Sequence, residues 1–128
     1  MVRKATCCCG QCSIEVSGDP TLNGVCHCDN CQRRTGSAFG WQAYFLDTQV
    51  LGTEGEFSEH RIRNEQRRYF CAGCGTTLFW TSAFMPEQTG IAAGAFLGDP
   101  AIPDPEVVAT PHGQVAWLTL PERWSRLP

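Results

Sequence analysis

Nine cysteines in 128 residues, gathered in three tight groups, constrain this chain more than any other feature. They stand as Cys7, Cys8, Cys9 and Cys12, then Cys26, Cys28 and Cys31, then Cys71 and Cys74. A chain of this length buries roughly two thirds of its unfolded surface and needs no staple merely to fold. Met1-Val2-Arg3-Lys4 runs almost directly into Cys7, leaving no room for the apolar core of a signal peptide. The expected compartment is therefore the cytoplasm, where reducing conditions make clustered thiols metal ligands or redox groups rather than disulfides, and the odd count points the same way.

Spacing separates the roles of the groups. Cys71-Ala72-Gly73-Cys74-Gly75 has the form of a zinc knuckle, two thiolates folding onto one ion with a glycine where the backbone turns. A closed structural site takes four ligands, so a distant segment must supply the rest. Cys9 and Cys12 repeat the two-residue gap, whereas Cys7 and Cys9 would face the same side of an extended segment; spacing leaves both pairs open. The middle group, Cys26-His27-Cys28-Asp29-Asn30-Cys31, then offers three thiolates. Three protein ligands with an open fourth position is the pattern of catalytic zinc, and Cys31 falls at the start of a short helix whose dipole favours its thiolate. His27 is expected to turn away from its ligand neighbours and serve as a hydrogen-bonded orienting residue.

The 13 glycines and 8 prolines recur at short intervals and no long window holds a 3.6-residue apolar period, which excludes a helical bundle. Strands are predicted over Ser13–Val16, Ala38–Leu46, Phe57–Arg63, Gln66–Phe70, Thr76–Trp80, Gly90–Phe96 and Glu106–Ala109, with Phe39, Trp41 and Phe45 sharing one face. One helix is predicted over Asn30–Thr35, with Asp29 as N-cap and Gly36 as its stop. The proline-rich stretch from Pro100 reads as an irregular strap, so residues 1–128 are expected to form a single domain. A net charge of -3 and a single lysine supply no basic field for nucleic acid, and no stretch approaches the ~20 apolar residues of a membrane span. Arg61, Arg63, Arg67 and Arg68 alternate with acidic and apolar neighbours and read as a solvated strand face.

The ordered motifs resemble the glutathione-dependent formaldehyde-activating enzyme (GFA) family. They are Cys7-x-Cys9-Gly10, Cys26-His27-Cys28-x-x-Cys31-Gln32 followed by Gly36-Ser37-Ala38-Phe39, Arg68-x-Phe70-Cys71-x-x-Cys74-Gly75, and Ala93-Gly94-Ala95-Phe96 before Asp99-Pro100. The resemblance implies a mainly β, Mss4-like fold of short antiparallel sheets with zinc-binding loops and one short helix. It also implies two Zn²⁺ per chain, a structural one on Cys7, Cys9, Cys71 and Cys74 and a catalytic one on Cys26, Cys28 and Cys31. Cys8 and Cys12 depart from the pattern and read as small buried hydrophobes.

Three thiolates on Zn²⁺ leave a net charge of -1, a soft site suited to sulfur. The implied activity is that of a carbon–sulfur lyase resembling S-(hydroxymethyl)glutathione synthase, which adds a zinc-activated thiol, glutathione or similar, to formaldehyde or another small aldehyde. The alternative is a non-enzymatic zinc module of the same fold that binds a protein partner. Arg33 and Arg34 could offset the anionic cluster or hold a carboxylate of a peptide-like thiol, and Gln32 and Ser37 are candidates to hydrogen-bond the thiolates. Phe39, Trp41 and Tyr44 could line the pocket, with core packing the default for Phe39 and Trp41.

Overall fold

The computed structural model describes residues 1–63, 65–98 and 100–127. Asp99, part of the motif resemblance, lies outside them. Among the described residues the chain forms two sheets and one α-helix. The smaller sheet joins β1 (Val2–Thr6), β2 (Ser13–Ser17) and β5 (Val50–Glu54), all antiparallel. The larger contains β3 (Leu22–Cys26), β4 (Gly40–Leu46), β6 (Phe57–Ile62), β7 (Gln66–Cys71), β8 (Thr77–Thr81), β9 (Gln88–Ala92), β10 (Val107–Ala109) and β11 (Ser125–Arg126), in the order β11-β10-β3-β4-β9-β8-β7-β6. The expectation of a mainly β, largely antiparallel fold with one short helix holds; β10 differs, pairing parallel with β3 and β11. The tail is thus an irregular strap fastened to the sheet by two short strands.

Period-two alternation explains how the sheets close on each other. Ala5, Ile14 and Val16 of the small sheet and Ala43, Phe45, Leu78 and Ile91 of the large one fill a single buried cluster, with Phe96 and Ile102 joining from the segments that follow. Fully burying a Leu- or Phe-sized side chain contributes roughly 1.5–3 kcal/mol, so this shared core is the main force holding the sheets together. Arg3 alternates inward with Ala5 and is buried, where Asp19 at 3.0 Å and the carbonyls of Gly18 and Ala101 satisfy its guanidinium.

Three local expectations need correction. The strand predicted over Gly90–Phe96 stops at Ala92, and Ala93–Ala95 form a 3₁₀ turn that delivers Phe96 against Phe45, ring centroids 5.9 Å apart. The helix, α1 (Asp29–Thr35), is capped by Cys28, whose sulfur accepts from the Cys31 N–H at 3.3 Å and moves Asp29 to the first helical position. Gly36 ends it in the left-handed conformation, φ 64°, as predicted. Strands β1, β3, β5 and β11 lie outside the predicted ones; the polar and glycine residues in Leu22–Cys26 and Val50–Glu54 hide any alternation.

Candidate functional site

The folding of the sheets gathers seven sulfurs into two clusters. In the first, Cys7, Cys9, Cys71 and Cys74 lie with all their sulfurs within 4.8 Å of one another. Cys7 follows β1 and Cys71 ends β7, so the cluster sits where the two sheets meet. Cys7 and Cys9 converge through a turn rather than an extended strand: Gly10 N–H donates to the Cys7 carbonyl at 3.1 Å with φ 82° at Gly10, a conformation that suits glycine. On the other side Gly75 N–H closes on the Cys71 carbonyl at 2.8 Å. The rival Cys9–Cys12 pairing is not assembled. Cys12 is buried with its thiol directed to the Glu56 carbonyl at 3.2 Å, and its backbone N–H donates to the Cys7 sulfur at 3.2 Å.

The sulfur separations of 3.6 Å for Cys7–Cys9 and 3.7 Å for Cys9–Cys71 are far beyond the ~2.05 Å of a disulfide. They lie close to the ~3.8 Å edge of a tetrahedron with ~2.3 Å metal–sulfur bonds. This donor set could hold a metal ion and is consistent with zinc. The Cys12 N–H lowers the pKa of Cys7 against the effect of burial, and the Thr76 hydroxyl and backbone lower that of Cys74 to about 5. Cys9 receives a lowering backbone hydrogen bond from Gln11, but Cys7, burial and the other thiols outweigh it and push it up to about 12. Crowded thiols cannot all ionise unaided; a dication removes that conflict.

In the second cluster Cys26, Cys28 and Cys31 bring three sulfurs within the same reach. Cys26 ends β3, Cys28 caps α1 and Cys31 is buried on its first turn. Gly40 opposite Cys26 permits the helix to approach, because a Cβ there would stand 2.6 Å from Arg34 Nη2 and 3.2 Å from Cys31 Cβ. The pairing of Cys26 with Cys31 lowers Cys26 to about 5 and, together with burial, raises Cys31.

The expected supporting residues divide. Gln32 does not reach a sulfur: its Nε2 donates to the His27 carbonyl at 2.8 Å and the Gly113 carbonyl at 3.0 Å, clamping the cysteine loop to the strap. Ser37 is exposed, and its N–H donates to Thr35. His27 is fully buried, yet neither ring nitrogen finds a hydrogen-bond partner among the described residues; the ring packs edge-on to Phe39, centroids 5.7 Å apart, so it is not a hydrogen-bonded orienting residue. Trp41 packs against the core and donates to Asn23 at 2.7 Å, whereas Tyr44 faces Trp80 on the opposite side of β4.

Residues that sequence reasoning missed surround the three sulfurs. Gln42 accepts from Cys31 Sγ at 3.4 Å and from Arg34 Nη2 at 3.3 Å. Thr110, a β-branched residue held at φ 51°, places its hydroxyl 3.8 Å from Cys26 Sγ, a strained conformation costing about 1–3 kcal/mol. Cys28, half-buried, lines a cleft of about 960 Å³ together with Arg33, Arg34, Arg61, Arg63 and Arg68. Arg61, Arg63 and Arg67 are exposed, as expected of a solvated face, and Arg67 lies 3.7 Å from Glu59; Arg68 departs from that expectation, half-buried at the cleft wall. Burial lowers the pKa of Arg68, and the nearby Arg34 charge pushes in the same direction while Cys31 and Cys28 oppose it.

Residues 2–109, a span that contains both clusters, match the family described as glutathione-dependent formaldehyde-activating enzyme. The chain belongs to this family. A crystal structure of a Rhodobacter sphaeroides protein is similar to this chain with a TM-score of 0.62 at 23% sequence identity, over 76% of this chain and 91% of that one. That likeness is one of fold. A comparison with curated proteins finds no match. Among the described residues no helix is long and apolar enough to cross a membrane.

Proposed function

We propose that residues 1–128 form one zinc-binding domain with two ions, a structural one on Cys7, Cys9, Cys71 and Cys74 and a catalytic one on Cys26, Cys28 and Cys31. We further propose that it acts as a carbon–sulfur lyase of the S-(hydroxymethyl)glutathione synthase type, joining glutathione or a similar thiol to formaldehyde or another small aldehyde. The observation that carries this reading is the three-sulfur set, two of its members buried and Cys28 at the wall of a cleft. When bound there, zinc would supply the acidity that turns a substrate thiol into a nucleophile.

The remaining work falls to the chain. Cleft residues orient the thiol toward the aldehyde carbon; the new S–C bond forms as the carbonyl π bond breaks, and the thiol proton ends on the former carbonyl oxygen. Gln42 fixes Arg34 beside Cys31, and Gln32 holds the loop that carries the three cysteines. Nine free cysteines support the reducing cytoplasm as the place of action.

The test is the rate of thiol–aldehyde adduct formation followed by magnetization-exchange NMR, with the uncatalysed rate subtracted. Acceleration by the zinc-loaded protein, lost in Cys28→Ser, is expected. A fully zinc-loaded protein that accelerates no reaction of formaldehyde with glutathione, cysteine or other small thiols would remove the enzymatic reading in favour of a partner-binding module.

A further inference from the structure

A fifth sulfur lies beside the four-sulfur cluster and belongs to neither ligand set. Cys12 closes the same β1–β2 connection that carries Cys7 and Cys9, directly before β2, and it is fully buried. Its backbone N–H reaches the Cys7 sulfur at 3.2 Å, and its own thiol interacts with those of Cys71 and Cys7. These are the two sulfurs that Cys9 also approaches, at 3.6 Å from Cys7 and 3.7 Å from Cys71. Cys9 and Cys12 therefore neighbour one pair of cluster sulfurs and differ in exposure, Cys9 being open to solvent and Cys12 closed to it.

Little holds the Cys12 sulfur aside. It donates to the Glu56 carbonyl at 3.2 Å, and a thiol is a weak donor. In that position it sits over Gly55, where a Cβ would stand 2.8 Å from it. The backbone is already tied to the cluster, because the Cys7 N–H donates to the Cys12 carbonyl at 3.0 Å, so a change of χ1 redirects the sulfur without moving the chain. The exposed edge, by contrast, is open to attack. A Cys9 thiolate that meets a peroxide takes one of its oxygens as the O–O bond breaks, and the resulting sulfenic acid no longer supplies an anionic sulfur to a metal ion.

We propose that Cys12 is the reserve ligand of this site: when Cys9 is oxidised or alkylated, Cys12 turns in and the ion passes to Cys7, Cys12, Cys71 and Cys74. In the oxidative case the hydroxide released from the peroxide takes the Cys12 thiol proton and leaves as water, so one thiolate is lost and one is gained. The inference rests on the reading of this cluster as a zinc site. Because Cys12 lies on the same connection as Cys9, the ion still joins that connection to the end of β7, and the long loop stays closed after an exposed ligand is lost.

The experiment uses the full-length protein loaded with zinc and, in parallel, with cobalt, whose thiolate charge-transfer absorption counts sulfur ligands. Cys9→Ser should keep two ions per chain by native mass spectrometry and the wild-type charge-transfer intensity. Cys9→Ser/Cys12→Ser should hold one ion, or keep two and lose the intensity of one cobalt–sulfur bond. Cys8→Ser protein treated with limiting iodoacetamide supplies a second measurement, since molecules alkylated only at Cys9 by peptide mapping should retain two ions. A Cys9→Ser protein that holds one ion or unfolds overturns the inference, as does a double variant with the same ions and spectrum as Cys9→Ser. Loss of an ion from Cys12→Ser alone overturns it too, by making Cys12 a resting ligand. If Cys8→Ser/Cys9→Ser loses the ion while Cys9→Ser/Cys12→Ser keeps it, the reserve is Cys8 and the assignment is wrong. A wild-type chain with no ion at the four-sulfur cluster removes the zinc reading and this inference with it, whereas two ions in the wild type and one in Cys9→Ser sinks the inference alone.

Discussion

The two cysteine clusters use the same donor atom and differ in how much chain they span. The four-sulfur cluster joins a turn after β1 to the end of β7, with Cys9 and Cys71 separated by 62 positions. The three-sulfur cluster is confined to Cys26–Cys31, a loop already held by β3, α1 and the Gln32 clamp. Closing a long loop removes entropy from the unfolded chain, and the longer loop gains more. A tie at the first cluster therefore acts on the fold, whereas a tie at the second organises only a few residues beside a cleft. The contrast teaches that chain separation, more than ligand chemistry, decides which of two similar sites holds the structure.

The largest expected effect tests that contrast directly. Cys71→Ser should unfold the domain or leave it molten, because structural zinc can supply roughly 10–16 kcal/mol, comparable with a domain's whole stability of about 5–15 kcal/mol. Cys28→Ser should retain near-native circular dichroism and one ion per chain. Thermal melts with metal analysis on both variants give the comparison, and a Cys28→Ser protein as unfolded as Cys71→Ser would make the second cluster a staple too. The same asymmetry should appear under chelator titration followed by native mass spectrometry, with two steps and the ion of the three-sulfur cluster leaving first. A single concerted step would break it.

A smaller effect should be confined to one side. Gln32→Leu removes two hydrogen bonds and leaves the His27 and Gly113 carbonyls without that partner, at a cost of about 1–3 kcal/mol. Ion release from the three-sulfur cluster should quicken while the four-sulfur cluster is unaffected. Equal loosening of both would show that the strap supports the whole fold rather than the cysteine loop.

Local signals in the sequence carried the part of this picture that depends on neighbours in the chain. The two-residue gap in Cys71–Cys74, the three thiols of Cys26–Cys31 and the glycine stop of α1 are all written within a few positions of where they act. What the sequence hid depends on distant pairing. Thr110 meets Cys26 across 84 positions, through the parallel contact of β10 with β3, and no spacing announces it. Arg68 alternates on its strand as a solvated residue would, and only the approach of α1 makes it the wall of a cleft. Cys28 displaced Asp29 as the cap because a sulfur already held by the cluster is placed to accept the Cys31 N–H, a competition that cap preferences alone do not express.

The smallest effects concern the two cysteines in neither cluster. Cys8 is exposed and Cys12 fully buried beside Cys7, so they test whether proximity to the four sulfurs is enough to matter. Cys12→Ser keeps the backbone N–H that supports Cys7, and a serine hydroxyl can still donate to the Glu56 carbonyl. The cost should be about 1 kcal/mol, the ordinary price of a buried substitution, and Cys8→Ser should fall within about 0.5 kcal/mol of wild type. Both should retain two ions per chain by native mass spectrometry. If Cys12→Ser instead collapsed while Cys7→Ser was tolerated, the ion would belong to a Cys9–Cys12 ribbon, the long loop would close at a different turn, and the contrast between the clusters would have to be redrawn around it.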